Sequence, residues 1–176
     1  MIKSLHIKNF LGIDKLTIDK LNKVNIIGGK PGSGKTRILK CINNSYQYRL
    51  GQYRIWTYNR FYNTNQFYND SHQNIEKLSR YFDQKIISGV TNLFLIDAID
   101  AGVHPDYYGL LIESFPVDEN SQLFITTYCR EFIRVPNDIL RDDMAYIRLE
   151  NDNCCFAAYE YDSQDLEYSF DMSWDI

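Results

Sequence analysis

The 176-residue chain has little of what marks a secreted, membrane-spanning or metal-stapled protein. Its four cysteines (Cys41, Cys129, Cys154 and Cys155) show no Cys-x-x-Cys spacing, so neither a disulfide framework nor a zinc site is indicated. Reduced thiols in a cytosol are the simplest reading, and a cytoplasmic location is expected. No apolar run approaches the roughly 18 residues that cross a bilayer, and the start, Met1 to His6, alternates instead of forming a signal core. No membrane span is therefore expected. Positive charge is not in excess either: 19 Lys and Arg face 23 Asp and Glu, a formal net charge of −4 that exerts no general pull toward nucleic acid. Internal repeats and low-complexity linkers are missing as well. An apolar fraction of 44% and a charged fraction of 24% are those of an ordinary globule, and one domain over residues 1–176 is the expectation.

What is present is concentrated at one point. Gly29-Lys30-Pro31-Gly32-Ser33-Gly34-Lys35-Thr36 has the spacing of a phosphate-binding P-loop and follows the apolar run Val24-Asn25-Ile26-Ile27, which suits a buried strand. The glycines let the backbone take turns closed to residues with a Cβ and bring N–H groups close to phosphate oxygens, while Pro31 stiffens the entry. The segment from Thr36 and Arg37 through Ile42 reads as a helix, whose positive dipole end would face the same phosphates. Lys35 is the expected partner of the β- and γ-phosphates, and Thr36 offers a hydroxyl to Mg²⁺.

Elsewhere the pattern supports an α/β fold. Residues 2–9 and 15–19 alternate on either side of Gly12, which predicts two antiparallel strands. Nine of the 23 residues from Tyr46 to Tyr68 are aromatic, with Arg49, Arg54 and Arg60 among them, so residues 46–70 stand apart as a variable lobe without an assigned element. Interleaved aromatics and arginines can stack single-stranded bases; on an acidic chain a lobe core or partner surface is the favoured reading. Ser71 suits a helix cap, Ile75, Leu78, Phe82 and Ile86 share a helical face, and Gly89 suits its end. Asn92 to Asp97 is an apolar run closed by a carboxylate, the form in which a central parallel strand delivers an acid to the carboxyl edge of a sheet. Pro105 opens a helical stretch through Ile112, and Gln122 to Thr127 is a strand ending in hydroxyls. The tail from Ala145 to Phe170 reads as a hairpin turning at Asn151-Asp152-Asn153.

Asp97 is the candidate second Mg²⁺ ligand beside Thr36, although a strand-end aspartate can instead cap a turn. Ala98 follows it, and alanine can neither accept a proton nor orient water; Asp100, two residues on, is the candidate replacement base. His6 and His104 lack clustered ligands and read as packing or hydrogen-bonding residues.

In order and wording these pieces resemble the ATP-binding heads of ABC-type ATPases related to RecF, SMC and the OLD (overcoming lysogenization defect) nucleases. Ile2 to Phe10 with Gly12 resembles their first strand and its Asn-Phe turn, which by resemblance places Asn9 and Phe10 near the base. Leu95 to Pro105 resembles "LIDEIExGLHP" with Ala98 in place of the catalytic Glu, and Gln122 to Ile133 resembles "QxxxTTHSxEFI" with Tyr128 in place of the switch histidine. Tyr146 to Glu150 and the tail carrying Tyr161-Asp162 are similar to the strands that close these heads. The family signature "LSxGE" is represented at most by Leu78-Ser79-Arg80-Tyr81, inside a predicted helix whose N–H groups are already bonded. The resemblance implies a P-loop NTPase fold with a mixed sheet, antiparallel N-terminal strands joining a parallel core between flanking helices. It also implies ATP and Mg²⁺ as cofactors; against the family pattern, the chain leaves no room for a coiled-coil arm and a bare head without nuclease domain is expected.

Three functions follow as expectations. The favoured one is an ATP- and Mg²⁺-binding head that hydrolyses slowly or not at all and associates with a protein partner, a second copy or a full-length ATPase relative. A head stripped in this way suits a phage or mobile-element decoy subunit. The alternative is a working ATPase in DNA repair or defence, using Asp100 and stimulated by nucleic acid. A small nucleotide kinase is the third, but Arg141 and Arg148 are too isolated to form its lid.

Overall fold

The computed structural model describes residues 1–46, 52–59, 71–100, 103–129, 131–152 and 155–161. Among them the N-terminal alternation becomes a hairpin in which β1 (Leu5–Phe10) pairs antiparallel with β2 (Ile13–Ile18), from Leu5↔Ile18 to Phe10↔Ile13. Its turn is Leu11-Gly12, with φ of 46° and 79°; positive φ at both positions matches the right-handed twist of the flanking strands. That two-residue turn starts β2 at Ile13, earlier than the alternation at Lys15 predicts.

The main sheet is built from β3 (Val24–Gly29), β4 (Tyr53–Asn59), β5 (Thr91–Asp97), β6 (Ser121–Thr126), β7 (Met144–Asp152) and β8 (Cys155–Tyr161). Its spatial order is β4-β5-β6-β3-β7-β8, with the first five strands parallel and β8 antiparallel to β7. The hairpin is a separate two-stranded sheet, so the antiparallel member of the main sheet is β8 and not the N-terminal pair. The tail hairpin forms as expected but turns later: Asp152↔Cys155 closes its register, which leaves Asn151 and Asp152 within β7.

Alternation along the central strands divides the core into two layers. Val24, Ile26, Phe94, Ile96, Leu123, Ile125 and Tyr146 face α2 (Ser71–Lys85), α3 (Tyr108–Glu113) and α4 (Glu131–Leu140). Ile27, Leu93, Leu95, Phe124, Ile147 and Leu149 face α1 (Lys35–Tyr46) and the hairpin. Both faces are covered, which is why these strands read as continuous apolar runs. In α2 the expected stripe is buried at Ile75, Leu78 and Phe82, with Phe82 edge-on to Phe94 at 5.0 Å between ring centres. Ile86 is instead 40% exposed, because the helix ends at Lys85. Gly89, with φ of 79°, belongs to the turn entering β5.

Three sequence expectations are modified by this fold. Ser71 starts α2, and its hydroxyl accepts from the backbone N–H of His104 across the helical layer. The helix expected from Pro105 begins as a 3-10 turn over Pro105–Tyr107 and becomes α-helical at Tyr108. Tyr53–Asn59, inside the unassigned aromatic stretch, is a parallel strand at the end of the sheet order. The rest of that stretch, including Tyr48, Arg49, Arg60, Phe61, Tyr62, Phe67 and Tyr68, lies outside the described residues, as do Ala101, Gly102, Arg130 and Asp162. Among the described residues no helix is long and apolar enough to cross a membrane.

Buried amides fasten the amino ends of the strands. Asn25 accepts from the N–H of Asn22 at 2.8 Å and donates to the carbonyls of Asn22 and Leu123 at 2.7 and 3.0 Å. Gln122 accepts from the N–H of Ile2 at 2.7 Å and donates to the carbonyls of Ile2 and Asn22, both at 2.8 Å. Asn92 holds Ile87 in the same manner, through its N–H at 3.1 Å and its carbonyl at 3.0 Å.

Candidate functional site

The opposite, carboxyl ends of β3, β5 and β6 carry most of the expected site residues. Beyond β3 the chain turns sharply through Gly29, Gly32 and Gly34, at φ of 146°, 83° and 98°. A Cβ on Gly29 would lie 2.5 Å from the carbonyl oxygen of Leu149 and 2.7 Å from the Ser33 hydroxyl, so space as well as conformation demands glycine. The preceding Gly28 is constrained by space alone, since a Cβ there would meet the Tyr146 hydroxyl at 2.6 Å. Lys30 and Pro31 are exposed, Ser33 is buried, and the Ser33 N–H donates to the carbonyl of Lys30 at 3.1 Å.

Helix α1 then begins, with Arg37 and Ile38 donating to the carbonyl of Gly34 at 2.9 and 3.2 Å. Its first turn contains no acidic side chain, so the positive end of the helix dipole is not offset by a carboxylate of its own turn. Arg37 reaches the hairpin: its Nη1 lies 3.2 Å from where a Cβ on Gly12 would stand. The hairpin carries the two residues expected near a base. Asn9 is exposed with φ of 52°, and Phe10 packs against the layer that holds α1.

Lys35 is 3% exposed, and its ammonium folds back on its own loop. Nζ donates to the carbonyls of Gly29 at 2.5 Å and Lys30 at 2.9 Å, and more weakly to the Ser33 hydroxyl at 3.4 Å. The ring of Tyr128 lies over the same nitrogen, 3.8 Å from Nζ to the ring centre. Burial lowers the Lys35 pKa to about 8, against the opposing pull of the Asp100 and Asp97 carboxylates.

Thr36 and Asp97 meet from different elements: the Thr36 hydroxyl donates to Asp97 Oδ2 at 2.9 Å. Thr126, at the end of β6, donates to Asp97 Oδ1 at 2.5 Å, and its hydroxyl accepts from the Ala98 N–H at 2.8 Å. The hydroxyl-ended strand thus fixes the carboxylate, a role for Thr126 that the sequence signalled only by its position. Ala98 is buried and adopts φ of 53°, a left-handed conformation unusual for a residue with a Cβ. Two residues on, Asp100 Oδ1 is buried without a hydrogen-bond partner among the described residues. Burial raises the Asp100 pKa, while the Thr127 hydroxyl, the amides of Asp100 and Tyr128, and Lys35 act in the other direction.

Other candidates stand apart. His104 Nδ1 accepts from the Asp106 N–H at 3.3 Å and so caps the 3-10 turn, and His6 lies 3.9 Å from Asp19 on an exposed face. Leu78 to Tyr81 lies in the middle of α2. Among the described residues no group of three or more His, Cys, Asp or Glu side chains forms a metal cluster.

No protein-family profile matches the chain. Over 42 residues it is 45% identical to an uncharacterized protein of Methanocaldococcus jannaschii, a stretch that makes up 24% of this chain and 19% of that protein.

Proposed function

We propose that the chain binds ATP with Mg²⁺ as a minimal ABC-type P-loop head of the RecF, SMC and OLD class, and works as a nucleotide-dependent protein-interaction module with slow or no hydrolysis. The supporting observation is that one sheet edge gathers a buried ammonium, a three-glycine turn that opens an α-helix, and the Thr36–Asp97 pair at 2.9 Å. In this reading Gly29, Gly32, Ser33 and Gly34 supply backbone N–H groups, and Lys35 supplies phosphate charge. A hydroxyl and one carboxylate are hard oxygen donors of the kind Mg²⁺ takes when water and phosphate oxygens complete its shell, so a pair suffices where Zn²⁺ would need a cluster. Bound there, Mg²⁺ would neutralise phosphate charge and orient the polyphosphate.

Hydrolysis is weak in this reading because Ala98 stands where related heads carry a base, and loss of a positioned base costs about a hundredfold to ten-thousandfold in rate. Nucleotide then orders the head for docking to a second copy or a full-length relative. Calorimetry with ATP, ADP and a non-hydrolysable analogue, with and without Mg²⁺, tests it. Mg²⁺-dependent binding, weakened at least about tenfold by Lys35→Ala, is expected. A wild-type protein that takes up no nucleotide in Mg²⁺ would overturn the reading.

One observation favours the catalytic half of a second reading, an active ATPase, for which nucleic acid is the expected effector. Asp100 Oδ1, buried and without a hydrogen-bond partner among the described residues, belongs to a carboxyl whose pKa is raised, and has the character of a general base. Turnover abolished by both Lys35→Ala and Asp100→Asn, and stimulated by DNA, would establish it over the first.

A further inference from the structure

We propose that Tyr128 is a displaceable cover on the Lys35 ammonium, and that it sets the affinity of the site by competing with the incoming polyphosphate. The inference rests on the nucleotide reading above and adds a residue to it.

An ammonium has three N–H donors, and those of Lys35 have three oxygens near them: Gly29 O at 2.5 Å, Lys30 O at 2.9 Å and Ser33 Oγ at 3.4 Å. All three belong to the glycine turn itself. The remaining approach is covered by the Tyr128 ring, whose face attracts a cation through its quadrupole. Ligand-free Lys35 is therefore satisfied by its own chain. A phosphate oxygen can accept from it only by drawing the nitrogen off one of these partners and out from under the ring.

Tyr128 is suited to yield. It is 47% exposed whereas Lys35 is 3% exposed, so the ring and not the ammonium has solvent to move into. It also follows β6 directly after Thr127, whose N–H donates to Ile27 O at 3.1 Å and whose hydroxyl accepts from the Cys129 N–H at 3.0 Å. The backbone on either side is anchored, and swinging the side chain need not disturb the strand. A displaced ring would leave its attraction for Lys35 behind, and that loss is subtracted from the affinity for any anion.

The test uses the whole chain, inorganic triphosphate with Mg²⁺ as the probe, and the variants Tyr128→Phe and Tyr128→Ala. Because residue 128 is half-exposed, both variants should fold. In ligand-free protein the Lys35 ε-methylene protons, held against an aromatic face, should resonate upfield of other lysines in wild type and Tyr128→Phe but not in Tyr128→Ala. Triphosphate should abolish that shift in wild type. By calorimetry Tyr128→Ala should bind triphosphate about 2- to 30-fold more tightly than wild type, the span set by the strength of partly desolvated cation–π contacts, with Tyr128→Phe close to wild type. An ordinary Lys35 resonance in wild type, or equal or weaker binding by Tyr128→Ala, overturns the cover. Triphosphate and ATP binding by none of the three proteins overturns the nucleotide reading itself.

Discussion

At the amino ends of β3, β5 and β6 stand Asn25, Asn92 and Gln122; at or just past the carboxyl ends of the same strands stand Gly29, Asp97 and Thr126, with Lys35, Ala98 and Asp100 close behind. Both sets are largely buried, yet they are treated differently. Each amino-edge amide is neutral and has its oxygen and its nitrogen bonded to backbone. The carboxyl edge holds an ammonium with a depressed pKa, a carboxyl with a raised one, an oxygen lacking a partner among the described residues, and an alanine in a left-handed conformation. Polar burial at one edge closes the chain. At the other it leaves charged groups and a strained backbone at the open end of the sheet, the place where parallel strands of α/β folds commonly meet a ligand.

Breaking the amino edge should have the largest effect on stability and little on binding. Gln122→Ala orphans the N–H and carbonyl of Ile2 and removes one of the two amide donors to the carbonyl of Asn22, at an expected cost of about 3 kcal/mol in urea unfolding. Nucleotide affinity of the folded fraction should stay within about twofold of wild type, a shift below ~0.4 kcal/mol. Thr126→Val, at the carboxyl edge, removes one donor to Asp97 and the acceptor for the Ala98 N–H, and should cost about 2 kcal/mol. Unlike the first variant it should also weaken Mg²⁺-dependent binding, because Asp97 loses the hydroxyl that orients it. If both substitutions alter only stability, the contrast between the edges fails.

The two edges also differ in how far they can be read from sequence. The carboxyl edge is signalled locally: glycine spacing after an apolar strand, a carboxylate closing another, hydroxyls closing a third. Gly29, Lys35, Thr36, Asp97 and Thr126 accordingly come together as the pattern suggests. Asn25, Asn92 and Gln122 give no such signal, because an amide inside an apolar run looks the same whether it faces solvent or clasps a segment 120 residues away, as Gln122 does. Two further features escape, one through distance and one through a misleading local signal. The Lys35–Tyr128 contact joins residues far apart in sequence, and the helical pattern of α4 is masked by Pro136, a residue that ordinarily breaks helices. The hairpin was legible as strands, but its separation from the main sheet depends on layer packing that no local window contains.

A pH series sharpens the contrast. With its pKa lowered from 10.5 to about 8, Lys35 gives up its proton in the folded chain between pH 8 and 10.5 while the unfolded chain keeps it. The unfolded state binds more protons in that window, so the residue's destabilising contribution is full below pH 8 and fades as pH rises to 10.5. If the nucleotide proposal holds, binding moves the opposite way, because a phosphate there would need the cation. Affinity for ATP should fall about tenfold per pH unit above 8, and the fall should flatten in Lys35→Arg, which stays charged. Calorimetry from pH 7 to 9.5 reads both slopes.

The smallest predicted effect isolates strain from charge. Ala98 has φ of 53°, where a Cβ costs about 1–2 kcal/mol, and it carries no polar side chain whose loss could obscure the result. Ala98→Gly relieves that conformation but frees the unfolded chain and removes a buried methyl, and these terms nearly cancel, so the net change in urea unfolding should lie within about 1 kcal/mol of zero. The same replacement in β7, Ala145→Gly, at the same 7% exposure but without a positive φ to relieve, should only destabilise. A gain at 98 would mean that the carboxyl edge holds its backbone, as well as its charges, away from the most stable arrangement. A loss at 98 would reduce the difference between the edges to side-chain chemistry alone.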